Sequence, residues 1–201
     1  MKDKLLIIGA GGHAKVVCDI AKNYYKTIVF ADDNATGSVL SCPILCNVNN
    51  ALALEKCDFI VAIGNNLVRA KIFDAFVQNG FKPATLIHPT AVIGENVEIG
   101  RGSVVMAGAV INPCVKVGFG CIINTCASVD HDCFVGDFTH LCPGVRFAGS
   151  VKTGKYCTFG VGTCVINNIT ICDNVNCGAG AIAVKDLLQE GTYIGVPAKL
   201  K

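Results

Sequence analysis

The 201-residue chain carries 17 basic and 15 acidic residues, a formal net charge of +2, and its charges are scattered, so no basic face is available to neutralise a run of nucleic-acid phosphates. Hydrophobic residues make up 52% of it, yet no apolar run approaches the roughly 18 residues of a membrane span. The opening MKDKLLIIGAGG meets glycine too early for a secretory signal, and a soluble cytoplasmic protein is expected.

Residues 1–85 read as a small Rossmann-like α/β domain. LLII, residues 5–8, is a buried strand that runs into the turn GAGGHAK and a helix-like VVCDIAKNYY. TIVFADD is a second strand, DFIVAIGNN a third, and LVRAKIFDAFVQNG a second helix, an order that predicts a parallel sheet. Gly9, Gly11 and Gly12 let backbone amides approach a phosphate at a helix N-terminus, with His13 inside the turn. The same glycines also suit a plain strand-to-helix turn. Ala14 stands where the last glycine of a G-x-G-x-x-G fingerprint belongs. Asp32 and Asp33 close the second strand, where an acid can meet a ribose hydroxyl or a base edge. Gly64, Asn65 and Asn66 end the third strand at the same sheet edge. A domain finished by residue 85 has about half the length that a dinucleotide site requires, so a single nucleotide or nucleotide sugar fits better.

Residues 86–201 follow a period of six. From Ala91 to Asp186 the sequence divides without a gap into sixteen hexads whose third residues are apolar in every case but Thr153. Neither a helix, with its period near 3.6, nor an alternating strand reproduces that lock. A parallel β-helix does, each hexad being a short strand plus a corner, with the third residue inward, a small first residue near the bend, and Gly or Asn at position four relieving backbone strain. Three hexads per coil give about five coils and a column on the order of 25 Å tall. The short segment VKDLLQEGTY is expected to form a helical C-terminal cap over the last coil. Lateral faces invite self-association, and a three-sided prism suits a trimer. The small first positions also absorb much of the cysteine. The thirteen cysteines contain no CxxC pair and read as reduced, buried small hydrophobes, with no metal site expected.

Within the column, ASVDHDCFVGDFTH places Asp130, His131 and Asp132 at hexad positions four to six, where the chain bends. An imidazole with a carboxylate neighbour has the pKa and tautomer control that general-base chemistry needs. Neighbouring side chains diverge along a strand, so either acid remains a candidate to orient the ring. His140, at position two, faces outward on a different prism face. A non-catalytic scaffold or nucleotide-sugar sensor is the contrasting reading, disfavoured by the Asp-His-Asp cluster.

GAGGHAK, ADD after strand two, AIGNN after strand three, IHPTAVIG, DHDCFVGDFTH and GVPAK together resemble the bacterial hexapeptide-repeat sugar acetyltransferases of the sialic-acid and bacillosamine pathways, most nearly the UDP-4-amino-sugar N-acetyltransferases. The resemblance covers nearly the whole chain. It implies a left-handed β-helix, a homotrimer with sites at subunit interfaces, acetyl-CoA as donor and no metal. It implies N-acetylation of the 4-amino group of a UDP-linked amino-deoxy sugar, with a GDP-linked amino sugar or O-acetylation of a sialic-acid-like sugar as alternatives. By the same resemblance His131 is the general base, Asp132 its orienting acid, and His140 and Gly149 contact the acetyl-donor end of acetyl-CoA, Gly149 through its backbone N-H; Asn124 is a candidate side-chain contact to acetyl-CoA on the same face. Lys185 and Lys199 are candidates for the coenzyme phosphates. The nucleotide sugar is expected on Gly9, Gly11, Gly12, His13, Asp32, Asp33, Gly64, Asn65 and Asn66.

Overall fold

A computed structural model describes all 201 residues, in two compact units, Met1–Leu86 and Ile87–Lys201. In the first, β1 (Lys2–Ile8), β2 (Tyr25–Ala31), β3 (Ser38–Val39), β4 (Cys42–Cys46), β5 (Asp58–Val61) and β6 (Lys82–Pro83) form one sheet in the order β3-β4-β2-β1-β5-β6. Only the β3–β4 pair is antiparallel. Helices α1 (Gly12–Ala21), α2 (Val48–Ala51) and α3 (Asn66–Gln78) connect the strands. The chain leaves β1 toward β2 on one side and returns to β5 on the other, so the strand order reverses between β1 and β5, the place where open α/β sheets bind ligands. Phe59 of β5 packs against Phe76 and Phe81, with the Phe59 and Phe76 centroids 5.2 Å apart.

Two features of this unit depart from expectation. The first helix ends at Ala21, and Tyr25 opens β2, where it is buried and its hydroxyl donates to Asp58. The β3–β4 hairpin and α2 were not anticipated. Leu40 and Ser41 turn the hairpin in left-handed backbone, and β4 lies beside β2.

The second unit is a parallel β-helix of two-residue strands on three faces, consistent with the left-handed form. The first face stacks Val92–Ile93, Val110–Ile111, Ser128–Val129, Arg146–Phe147, Cys164–Val165 and Ile182–Ala183; the second stacks Glu98–Ile99, Lys116–Val117, Phe134–Val135, Lys152–Thr153 and Thr170–Ile171. The third runs from Val104–Val105 through Ile122–Ile123, His140–Leu141 and Thr158–Phe159 to Val175–Cys177. Each residue pairs with the one a coil later, as Ile111 with Val129 and Val129 with Phe147. Hexad position three points inward, and Val105, Ile123, Leu141, Phe147 and Phe159 sit in one continuous core. Thr153 is buried among them, its hydroxyl accepting the Gly136 N-H at 3.1 Å.

Position one forms a polar ladder inside the corners. Ser103, Cys121, Cys133, Thr139, Cys157 and Thr163 each donate to a carbonyl fifteen residues on, at 2.9 to 3.2 Å. A thiol and a hydroxyl are interchangeable here, which accounts for the cysteine usage. Burial pushes Cys133 and Cys157 up to about 11 and Cys177 to about 12, keeping them protonated and unreactive.

The corners correct the reading of position four. Every sixth residue from Asn96 to Gly180 has positive φ, between +54° and +79°, so the left-handed residue occupies position six. Glycine recurs at position four for a different reason, which is close approach of the next coil: a Cβ on Gly94 would lie 2.6 Å from Pro113 N.

The expected C-terminal helix is absent. Leu187 bridges in parallel to Ile171, and Gly191–Ile194 and Lys199–Leu200 extend the third face. The last coil presents unpaired backbone groups, and the segment satisfies them: Leu187 N-H donates to Thr170 O, Cys172 N-H to Leu187 O, and Asp186 accepts the Thr170 N-H. Covering an open sheet edge outweighs local helical preference. No helix is long and apolar enough to cross a membrane.

Candidate active site

The corner between the first and second faces carries the imidazole. Asp132 occupies position six with φ +59°, and this left-handed kink is what turns two sequence neighbours toward each other. His131 Nδ1 lies 2.8 Å from Asp132 Oδ2. Asp130 serves a different purpose: its Oδ1 accepts the His131 backbone N-H and an Asn112 Nδ2 hydrogen, both at 2.8 Å. Asp132 is therefore the acid on the ring, and Asp130 braces the backbone beneath it. The hydrogen bond to Asp132 and the negative charge of Asp130 together raise the His131 pKa above its usual value, against a small opposing effect of burial. With Nδ1-H given to the carboxylate, Nε2 presents a lone pair.

Gly149 lies one coil beyond His131 on the same corner, directly under the ring. Its backbone N-H has no acceptor within the chain. Lys185 falls on this corner as well, exposed, three coils from His131 and so about 14 Å along the column at roughly 4.8 Å per coil. On the third face Asn124 Nδ2 lies 3.1 Å from His140 Nε2, and Asn124 Oδ1 accepts the Thr125 N-H. Asn124 and His140 thus form a pair, on a face that the His131 corner does not adjoin. Lys199 is exposed on the antiparallel terminal strand. No group of three or more His, Cys, Asp or Glu is placed to hold a metal ion.

In the first unit the glycine turn sits at the reversal point between β1 and β5. Gly9 has φ +100°, and a Cβ there would approach Ile63 Cγ1 to 3.0 Å and Ala62 O to 3.1 Å. Gly11 precedes α1 without a side-chain cap, and Gly11 and Gly12 face open space, leaving first-turn amides accessible to an anion. Asp32 Oδ2 accepts the Ala10 N-H at 2.8 Å and Oδ1 accepts those of Asn34 and Ala35. Partial burial opposes its charge, but these three donors prevail and lower its pKa. Asp32 is thereby committed to fastening the turn to the end of β2. Asp33 accepts the Val48 N-H and borders a cavity of about 240 Å³ with Thr36, Leu45 and Asn47.

Asn65 caps α3 through the Val68 N-H, and Asn66 accepts from Arg69 Nη2 at 2.8 Å. Arg69 was not singled out in the sequence, where it reads as one more helix-surface charge. It is 1% exposed, and its guanidinium also donates to the carbonyls of Ile63 and Gly64. Burial, reinforced by the Arg69 charge, lowers the His13 pKa to about 4, so this imidazole is neutral at pH 7.

A three-faced hexapeptide column bearing a carboxylate-bound imidazole at one corner, joined to a small α/β unit, defines an acyltransferase of the hexapeptide-repeat class. The PglD N-terminal domain family matches residues 4–76. The acetyltransferase domain of PglB from Neisseria gonorrhoeae, in complex with acetyl coenzyme A, is 40% identical with a TM-score of 0.96 and full coverage of both chains. PerB from Caulobacter crescentus, in complex with CoA and GDP-perosamine, is 39% identical with a TM-score of 0.90, covering 98% of this chain and 97% of that one. The UDP-N-acetylbacillosamine N-acetyltransferase of Bacillus subtilis is 30% identical over 113 residues, half of each chain. The chain spans 29% of the length of the UDP-3-O-acylglucosamine N-acyltransferase of Herminiimonas arsenicoxydans, which it matches at 32% identity over 103 residues. The chain belongs to the hexapeptide-repeat sugar N-acetyltransferases.

Proposed function

We propose that this protein transfers the acetyl group of acetyl-CoA directly to the 4-amino group of a UDP-linked amino-deoxy sugar for bacterial glycan synthesis, working in the cytoplasm as a homotrimer. The observation that carries the reading is the His131 corner, with Nδ1 held by Asp132 at 2.8 Å and the opposite ring edge over Gly149, whose amide is unused. The neutral amine attacks the thioester carbon while His131 Nε2 takes its proton, and Asp132 stabilises the imidazolium that forms. Negative charge gathers on the former carbonyl oxygen, where the Gly149 N-H is the donor. The C–S bond then breaks, and the proton on His131 passes to the departing thiolate. Asn124 and His140 of a neighbouring copy meet the acetyl-donor end of the cofactor across the interface, and Lys185 and Lys199 attract its phosphates. The nucleotide sugar rests on the glycine turn, its pyrophosphate near His13 and the α1 amides and its base or ribose near Asp33.

A GDP-linked amino sugar is the second reading, favoured by the relative crystallised with GDP-perosamine at 39% identity. Incubation with acetyl-CoA and a panel of UDP-, GDP- and CMP-linked sugars, followed by free-thiol release, separates the two. His131→Ala is expected to lower turnover by about a hundredfold or more. Near-normal turnover in that variant rejects the general-base role, and reaction with hydroxyl acceptors alone rejects N-acetylation.

A further inference from the structure

We infer that Gly149 is a positioning residue for His131, its bare Cα forming the floor on which the imidazole rests. This rests on the reading of His131 as general base, and it is separate from any contact of the Gly149 amide with the thioester. A Cβ on Gly149 would lie 2.6 Å from His131 Cε1, 2.7 Å from Nε2 and 3.3 Å from Nδ1. No other atom lies as near to that site, and Gly149 is not among the residues of positive φ. The backbone there accepts any L residue, so the imidazole alone forbids a side chain. Relieving the overlap needs a ring displacement of roughly 1 Å to reach ordinary carbon–carbon contact.

That displacement has a definite cost. The Cε1–Nε2 edge of the ring lies nearest the glycine while Nδ1 stands 2.8 Å from Asp132 Oδ2, so moving that edge disturbs the contact with the acid. Asp130 is already engaged by the His131 and Asn112 N-H groups through Oδ1 and holds the backbone in place, so the ring cannot follow by moving the chain. Along this corner, residues 113, 131, 149, 167 and 185 are Pro, His, Gly, Asn and Lys. Glycine occurs only in the coil next to the imidazole.

The test is Gly149→Ala, compared with Asp132→Asn, the double variant and His131→Ala, each as the full chain. Melting temperature and oligomeric state of G149A should match wild type, since only the mobile end of one side chain must yield. Its kcat should fall by about ten- to a hundredfold. The acidic limb of its pH–rate profile should move to lower pH, as the Asp132 hydrogen bond, the largest cause of the raised imidazole pKa, is lost and only the charges of Asp130 and Asp132 remain to raise it. The double variant should be no slower than the slower single variant within about threefold, because both changes break one contact. A wild-type kcat and pH profile, a loss confined to KM for acetyl-CoA, fully multiplicative losses or failure of G149A to fold would each overturn the inference. Turnover surviving in H131A removes the general-base reading itself; an inactive H131A beside an unimpaired G149A removes only the positioning role.

Discussion

His13 offers a stability measurement that isolates one buried group. Its pKa falls from 6.5 to about 4, first through burial and second through the Arg69 charge. An unfolded chain protonates this histidine below pH 6.5, while the folded one does not until about pH 4, so the unfolded state binds the extra proton and folding stability declines as the pH drops across that window. At 1.36 kcal/mol per unit, the full interval is worth at most about 3 kcal/mol. Asp32, Asp58 and Asp130 have pKa values lowered from 3.8, begin to contribute only at the acidic end of the window, and cancel when two variants sharing them are compared. The raised pKa of His131 acts with the opposite sign and cancels when two variants sharing it are compared. Urea unfolding of wild type and His13→Asn at several values between pH 7 and pH 4.5 should show the wild type losing stability more steeply. A nucleotide sugar seated with its pyrophosphate beside His13 should flatten that slope by stabilising the imidazolium. Parallel pH dependences in the two proteins would refute the assignment of the buried proton site.

Three further outcomes follow from other parts of the molecule. Asp132→Asn should reduce kcat by at least about tenfold and shift the acidic limb of the pH–rate profile downward, since a raised imidazole pKa requires higher pH to free the base; an unmoved limb argues against the 2.8 Å contact in solution. Phe159→Ala removes a fully buried ring that meets Phe147 edge-on at 4.8 Å, and calorimetry of the column should register a loss of about 3 to 5 kcal/mol. Leu187→Ser should cost about 2 to 4 kcal/mol and speed amide exchange at Cys172, whose N-H is covered by the Leu187 carbonyl.

The column was legible because its signal is periodic and its inward positions are buried from Val105 onward; even Thr153 obeys by accepting the Gly136 N-H. Position four misled because glycine was frequent there, and composition does not separate a demand for positive φ from a demand for space. Phe138 and Tyr156 occupy left-handed corners at position six, where no propensity argument would place them. The terminal segment 184–193 has local helical character, but the pairing partners that decide its conformation lie in a coil fifteen or more residues earlier. The glycine turn and the Asp-His-Asp cluster were visible as residues, while their division of labour was not. Which acid faces the ring depends on the sign of φ at residue 132, and Asp32 and Asn65 spend their polar atoms on the fold. Arg69 was hidden because burial of a charge leaves no trace in a helical pattern. The Gly149 contact could have been found from the 18-residue coil length, which pairs it with His131.

The uninterrupted register of the coils makes the column a ruler marked in whole steps. Excising one full turn, for example residues 151–168, would leave every surviving column of side chains aligned, yet bring Lys185 closer to the His131 corner by about 4.8 Å. An elongated molecule lying along that corner would then find its two ends mismatched by a single increment, with no intermediate spacing accessible to the fold.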